Sequence, residues 1–184
     1  MNPEGMHGNR RRVLHILAGL ESGVLGGVAM LVWLMATSPL HQQPWWAFPN
    51  LMASGIFGEA VFRLGFGAAS CSGIALLLFM AGLLGSIFAL VVPESVSSFR
   101  FVLLAFVTGL AWYYATASLD VNRWAPLAPL YTPKPLLYSA HLIYGCSLAL
   151  ERRHFRSILG RFRAAAGCPL GGEPVEGPPA SIQP

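Results

Sequence analysis

The sequence predicts an all-α integral membrane protein: a four-helix bundle with a short outer interfacial helix and a basic amphipathic helix near its C-terminal end. Three observations lead there. Of 184 residues, 54% are hydrophobic and only 11% charged, against about a quarter charged in a soluble domain. The apolar residues fall in long blocks instead of the stripes of a water-facing helix. The blocks, at about 13–36, 69–92, 101–119 and 135–150, place one transmembrane domain over residues 13–150.

Each block is justified by its length and its ends. As a helix, 13–36 measures roughly 36 Å at about 1.5 Å per residue, more than the roughly 30 Å hydrocarbon core. The second block stops at Pro93, whose ring and missing amide oppose a continuing helix. The third is bounded by Arg100 and Asp120. The fourth opens at Pro135, a residue suited to a first helical turn. It is short, and crosses with little tilt only if Tyr131 to Lys134 or the start of the following arginine cluster sits in the interface.

Arginine and lysine counts set the orientation, because segments near the cytoplasmic ends of spans are enriched in them. With the N-terminal segment 1–12 inside, nine lie inside (Arg10, Arg11, Arg12, Arg100, Arg152, Arg153, Arg156, Arg161, Arg163) and three outside (Arg63, Arg123, Lys134). That places both termini in the cytoplasm. Trp45, Trp46, Trp112, Tyr113, Tyr114, Trp124, Tyr131 and Tyr138 gather toward the outer boundary, where amphipathic rings prefer to sit. Three arginines before an apolar run also suggest a secretory signal, but the run is about twice a signal's length and further blocks follow.

The outer segment 37–68 divides in two. Residues 38–49 hold three prolines and the Trp45-Trp46 pair, predicting an irregular aromatic flap at headgroup level. Asn50 is a candidate N-cap for a helix to about Leu64, with Glu59 and Arg63 one turn apart, lying on or dipping into the outer surface. After the fourth block, 151–163 spaces Phe155, Ile158, Leu159 and Phe162 helically among arginines. That pattern predicts a helix resting on the inner leaflet, with Arg152, Arg153, Arg156, Arg161 and Arg163 against anionic headgroups. A calmodulin-type target shares the pattern. Residues 164–184, rich in Gly and Pro, have the composition of a disordered tail. The arginines flank spans instead of interleaving with stacking aromatics, so lipid is the expected partner and nucleic acid is not.

Candidate sites are few. Gly19, Gly23 and Gly27 repeat every fourth residue on one face of the first span, which lets a second helix approach closely. Ala81, Gly85 and Ala89 make a similar face, as do Gly145 and Ala149. Packing within the chain and homo- or hetero-oligomerisation are both open to such faces. Glu21 lies about 12 Å inside the first span, where a carboxylate costs about 2.5–3.5 kcal/mol by insertion scales. It is read as a proton- or substrate-binding carboxyl or as a hydrogen-bonded tie between helices, facing protein in either case. His141, with Tyr138 and Tyr144 near it, is read as a ligand, a proton relay or an interhelical hydrogen-bond donor. Together with Glu21 and Tyr144 it forms the candidate intramembrane polar site. A haem between His141 and His15 is disfavoured, because the two lie near opposite boundaries. Asp120, Arg123 and Lys134 border the third outer loop as solvated charges. Cys71, Cys146 and Cys168 form no disulfide framework or zinc spacing, and there is no phosphate loop, nucleophile elbow or acidic pair for magnesium. No catalytic residue, metal or cofactor is expected.

Pro44-Trp45-Trp46 with Pro49-Asn50, the Gly-rich first span, and His141-Leu142-Ile143-Tyr144-Gly145 resemble patches of small bacterial four-span membrane proteins that carry no assigned activity. The resemblance implies a four-span fold and transfers no functional residue. The expectation is a non-enzymatic component concerned with packing or association in the membrane. The alternative is a small transporter or redox subunit that handles protons, a quinone or a lipid through Glu21 and His141.

Overall fold

The computed structural model describes residues 3–93, 95–118 and 133–165. Among them the chain is helical, without strands. The helices are α1 (Pro3–Thr37), α2 (Ala47–Phe57), α3 (Ala68–Val91), α4 (Ser98–Ser118), α5 (Lys134–Leu148) and α6 (Glu151–Ala165). Three stretches, Arg12–His41, Ala68–Val91 and Ser98–Thr116, are long and apolar enough to cross a membrane. Asp120, Arg123, Trp124, Tyr131 and residues 166–184 of the tail lie outside the described residues.

Helix α1 reaches further back than its apolar block, and the basic segment 1–12 is helical from Pro3. Pro3 suits a first helical turn by its fixed φ. Helix α3 ends where the sequence directs: Val92, forced out of the helical region by Pro93, is extended at φ −90° and ψ 112°. Helix α1 packs against α3, α5 and α6, while α4 packs against α5.

The α1–α3 seam is built from absent side chains. A Cβ on Gly19 would stand 2.5 Å from the Gly85 carbonyl oxygen and 2.6 Å from Ala89 Cβ. One on Gly23 would collide with the Ala81 carbonyl oxygen, and one on Gly27 would lie 2.8 Å from Ala81 Cβ. Backbone therefore meets backbone along two turns. In lipid such contact is the main attraction between helices, since hydrocarbon gives no hydrophobic drive for association. Helix α5 runs antiparallel to α1 on another side: Trp33 Nε1 donates to Ser139 Oγ at 3.0 Å, and Gly26 faces Tyr144 and Ser147. Gly145 packs on Ala105 and Phe106 of α4, and Ala149 is half-buried.

The segment between α1 and α3 departs from expectation. Two helical pieces replace the single one over 50–64: α2, then a 3-10 turn over Glu59–Arg63. Gly58 separates them at φ 75°, a conformation that glycine adopts without strain. At three residues per 3-10 turn, Glu59 and Arg63 no longer share a face. Asn50 caps nothing; it lies one turn inside α2 and is buried. Its Nδ2 donates to the carbonyls of Val61 and Leu64, both at 3.1 Å, and its Oδ1 accepts from Ser70 Oγ. The Val61 carbonyl, which also accepts the Leu64 N–H, and the Leu64 carbonyl thus take a donor from within the protein, as a buried site requires. Phe48 and Leu51 enter a core with Met30, Leu34, Leu77 and Ala140. Gly73 admits the Pro49 carbonyl where any Cβ would block it. Helix α2 is therefore packed among the long helices and does not rest on their surface. Ahead of it, Trp45 stacks edge-on against Trp46 at 5.5 Å and tilts onto Phe66 at 4.9 Å.

Candidate functional site

A polar cluster forms where α6 folds back on α1. A two-residue turn, Ala149–Leu150, separates α5 from α6. Glu151 is the first residue of α6, a position where the helix dipole favours a carboxylate. It is fully buried, and its Oε1 lies 3.0 Å from His15 Nδ1. Phe155, one turn on, stacks on the His15 ring at 4.7 Å and packs against Leu14 and Ala18. On the same helix His154 Nδ1 stands 3.4 Å from Glu21 Oε1. Arg152 Nη2 donates to the Val96 carbonyl at 2.6 Å, and its guanidinium lies 4.1 Å over the Phe101 ring. Two imidazole–carboxylate pairs and one arginine therefore fasten α6 to α1 and to the α3–α4 connection.

This arrangement changes the expected part of α6. Phe155 and Ile158 turn toward α1 instead of a lipid leaflet. Glu21 also differs: its side chain is 47% exposed and meets His154 at the protein surface, so it does not face the interior. Arg153 and Arg156 are exposed on α6, which also carries Arg161 and Arg163 in its second half.

His141 belongs to a different neighbourhood. It is buried, and because a carbonyl can only accept, its Nδ1 donates to the Leu137 oxygen at 2.8 Å. Trp112 and Tyr113 meet its ring edge-on, with centroids at 5.3 and 5.6 Å. Gly109 is pressed against its carbonyl, where a Cβ would come within 2.5 Å. Tyr144, fully buried, donates its hydroxyl to the Ala81 carbonyl of α3 at 2.7 Å and meets Trp112 at 4.6 Å. The register of α1 against α5 puts His141 level with about Leu31, ten residues beyond Glu21, which is about 15 Å along the helix. The structure brings His141 and Tyr144 together and keeps Glu21 apart from both.

Comparison with known protein families, curated proteins and solved structures gives no match.

Among the described residues, no three His, Cys, Asp or Glu side chains gather as a metal set would. The cluster that sequence reasoning missed is His15, His154 and Glu151. Its signal was present in the positive-inside arrangement, which puts His15 and Glu151 at the same boundary of the first and fourth blocks. Equal depth on neighbouring helices is what lets a buried acid find a partner. The two pairs differ in worth. His15–Glu151 is largely withdrawn from solvent, where breaking an imidazole–carboxylate pair is costly. Glu21–His154, exposed to 47% and 25%, is a surface pair of small weight.

Proposed function

We propose that the chain is a multi-pass protein of a bacterial inner membrane, crossing four times with both termini inside, whose role is non-enzymatic association with another membrane component. A fourth crossing is supported by the path of α5. Antiparallel to α1, the chain runs eighteen residues from Lys134 to Glu151, about 27 Å at the helical rise. That is close to the roughly 30 Å hydrocarbon thickness. Alone, α5 has 15 residues and covers about 22 Å; the turn and the first residue of α6 supply the rest.

The observation that carries the association reading is how the surfaces are used. The Gly19–Gly23–Gly27 face and the Ala81–Gly85–Ala89 face cover each other within one chain. Helix α4 is left most open, with 17% of its apolar window buried against 44% for α1 and 33% for α3. Leu103, Leu104 and Val107 stand outward on it, and this is the side offered to a partner helix. The transporter or redox alternative leans on Glu21 and His141 acting together, and their separation of about 15 Å along α1 weighs against it.

Both parts are testable. With Cys71, Cys146 and Cys168 replaced, a membrane-impermeant maleimide added to intact cells should label a cysteine at Lys134 and spare one at Arg156; the reverse pattern would overturn the orientation. A photo-crosslinker at Val107 should trap a protein neighbour in native membranes, while one at Leu90 on α3 should not. Lipid adducts alone at both positions would overturn association.

A further inference from the structure

We propose that the inner leaflet dips beside Glu21, where phospholipid headgroups with their water fill a polar inlet between α1 and α6. The inference rests on the reading that α1 and α3 span a bilayer with the end of α3 at its inner face. At 35 residues α1 is longer than the hydrocarbon core is thick, so α3 gauges depth better. A Cβ on Gly19 would meet Gly85 and Ala89, and one on Gly23 would meet Ala81, Gly82 and Gly85, which puts Glu21 level with about Gly85. From there to the end of α3 at Val91 is six residues, about 9 Å. The 24 residues of α3 measure about 36 Å, roughly 3 Å more at each end than the hydrocarbon core needs. Glu21 therefore stands about 6 Å inside the level of the hydrocarbon.

At that depth its side chain still opens outward, 47% exposed, with only His154 of α6 drawn against it at 3.4 Å. A carboxylate facing acyl chains is strongly disfavoured, and proteins relieve it by snorkelling, by local thinning of the bilayer or by water defects. Snorkelling is the resource of long lysine and arginine side chains; with the shorter glutamate, the boundary moves instead. Two observations confine the dip to the α6 side. Ile87, Leu90 and Val91, between the level of Glu21 and the end of α3, all stand outward. A boundary moved to Glu21 all round would leave those three large apolar side chains in water. Helix α6 supplies the polar wall. Its Phe155 and Ile158 are turned to α1, while Arg153 and Arg156, on either side of His154 in the chain, are exposed. Exposed guanidiniums attract anionic headgroups, and their reach lets them hold phosphates beside a helix lodged below the ordinary boundary.

The test places the full chain in vesicles of phosphatidylethanolamine and phosphatidylglycerol, with reagents on both faces so that orientation does not enter. A water-soluble carbodiimide with glycinamide should amidate Glu21 at a rate comparable with that of Glu59, an exposed carboxylate of the outer segment, read by peptide mass spectrometry. R153Q/R156Q should slow Glu21 about tenfold, the scale of two arginines released from an anionic surface, although losing positive charge would by itself favour this cationic reagent. With Cys71, Cys146 and Cys168 replaced, I87C should stay unlabelled by a charged maleimide. Modification of Glu21 by the lipid-soluble dicyclohexylcarbodiimide alone would place it in hydrocarbon and overturn the inlet. Rapid labelling of I87C would mean a flat boundary at this level and overturn it too, and an unchanged rate in R153Q/R156Q would remove headgroups as its filling. F79C, outward near the middle of α3, is scored separately. Its labelling would remove the membrane reading itself, whereas a silent F79C beside any of the other failures removes the inlet alone.

Discussion

Replacing Gly19 by alanine adds one methyl group to the α1–α3 seam. That methyl would sit 2.5 Å from the Gly85 carbonyl oxygen, while ordinary contact begins at 3.4 Å, so the helices must part by roughly 0.9 Å. Neither obstacle is the end of a flexible side chain: one is backbone and the other is Ala89 Cβ. A gap of 0.5–1 Å forfeits about a quarter to a half of each dispersion contact it opens, and overpacking of this kind typically costs about 1–3 kcal/mol. Against this, alanine gains roughly 0.5–1 kcal/mol over glycine inside a helix. The net expectation for G19A is a loss of about 1–2 kcal/mol. G55A provides the reference, because Gly55 also lies within a helix but a Cβ there meets nothing within 4 Å. It should gain about 0.5–1 kcal/mol. Unfolding of the purified protein by dodecyl sulfate, followed by tryptophan fluorescence, should separate the two variants by about 2 kcal/mol. If G19A and G55A unfold at the same detergent fraction, the seam is not held by backbone contact and its account here is wrong.

Other outcomes follow from the buried polar groups. N50A removes the Asn50 donor from the Leu64 carbonyl and one of two donors from the Val61 carbonyl, which keeps the Leu64 N–H, and should cost about 1–3 kcal/mol, with limited proteolysis cutting first between Gly58 and Gly67; unchanged protection would mean that Asn50 does not hold this segment. E151L and H15F should each cost up to about 3–5 kcal/mol while the H15F/E151L double variant costs less than their sum, a non-additivity read from the same unfolding assay; simple additivity would deny the pair. E21Q, by contrast, should change stability by less than ~1 kcal/mol, and a larger loss would mean that the surface pair is more than surface. Y144F should lose about 1 kcal/mol with the Ala81 hydrogen bond, and no loss would place the hydroxyl elsewhere.

Long uninterrupted apolar stretches announce themselves, because a helix in hydrocarbon must satisfy its backbone internally and needs about twenty apolar residues to do so. Helices α3 and α4 accordingly lie within a few residues of blocks visible in the sequence, as does the end of α3 at Pro93. The segment between α1 and α3 was misread because Asn50 is equally suited to capping a helix and to bonding distant carbonyls, and only the fold supplies the carbonyls of Val61 and Leu64. Gly58 held a usable signal, since glycine commonly follows a helix end.

The sequence by itself determined which stretches avoid water, where prolines and glycines interrupt them, and which faces are small enough for close approach, since these are properties of single segments. Tertiary structure alone decided which small face met which, that Glu21 stayed at the surface beside His154, and that Glu151 reached His15 in a buried pair. A carboxylate far from its partner in sequence carries no mark of that partner. Its neighbourhood is set by the rotation and register of two packed helices, and those depend on every contact along the seam.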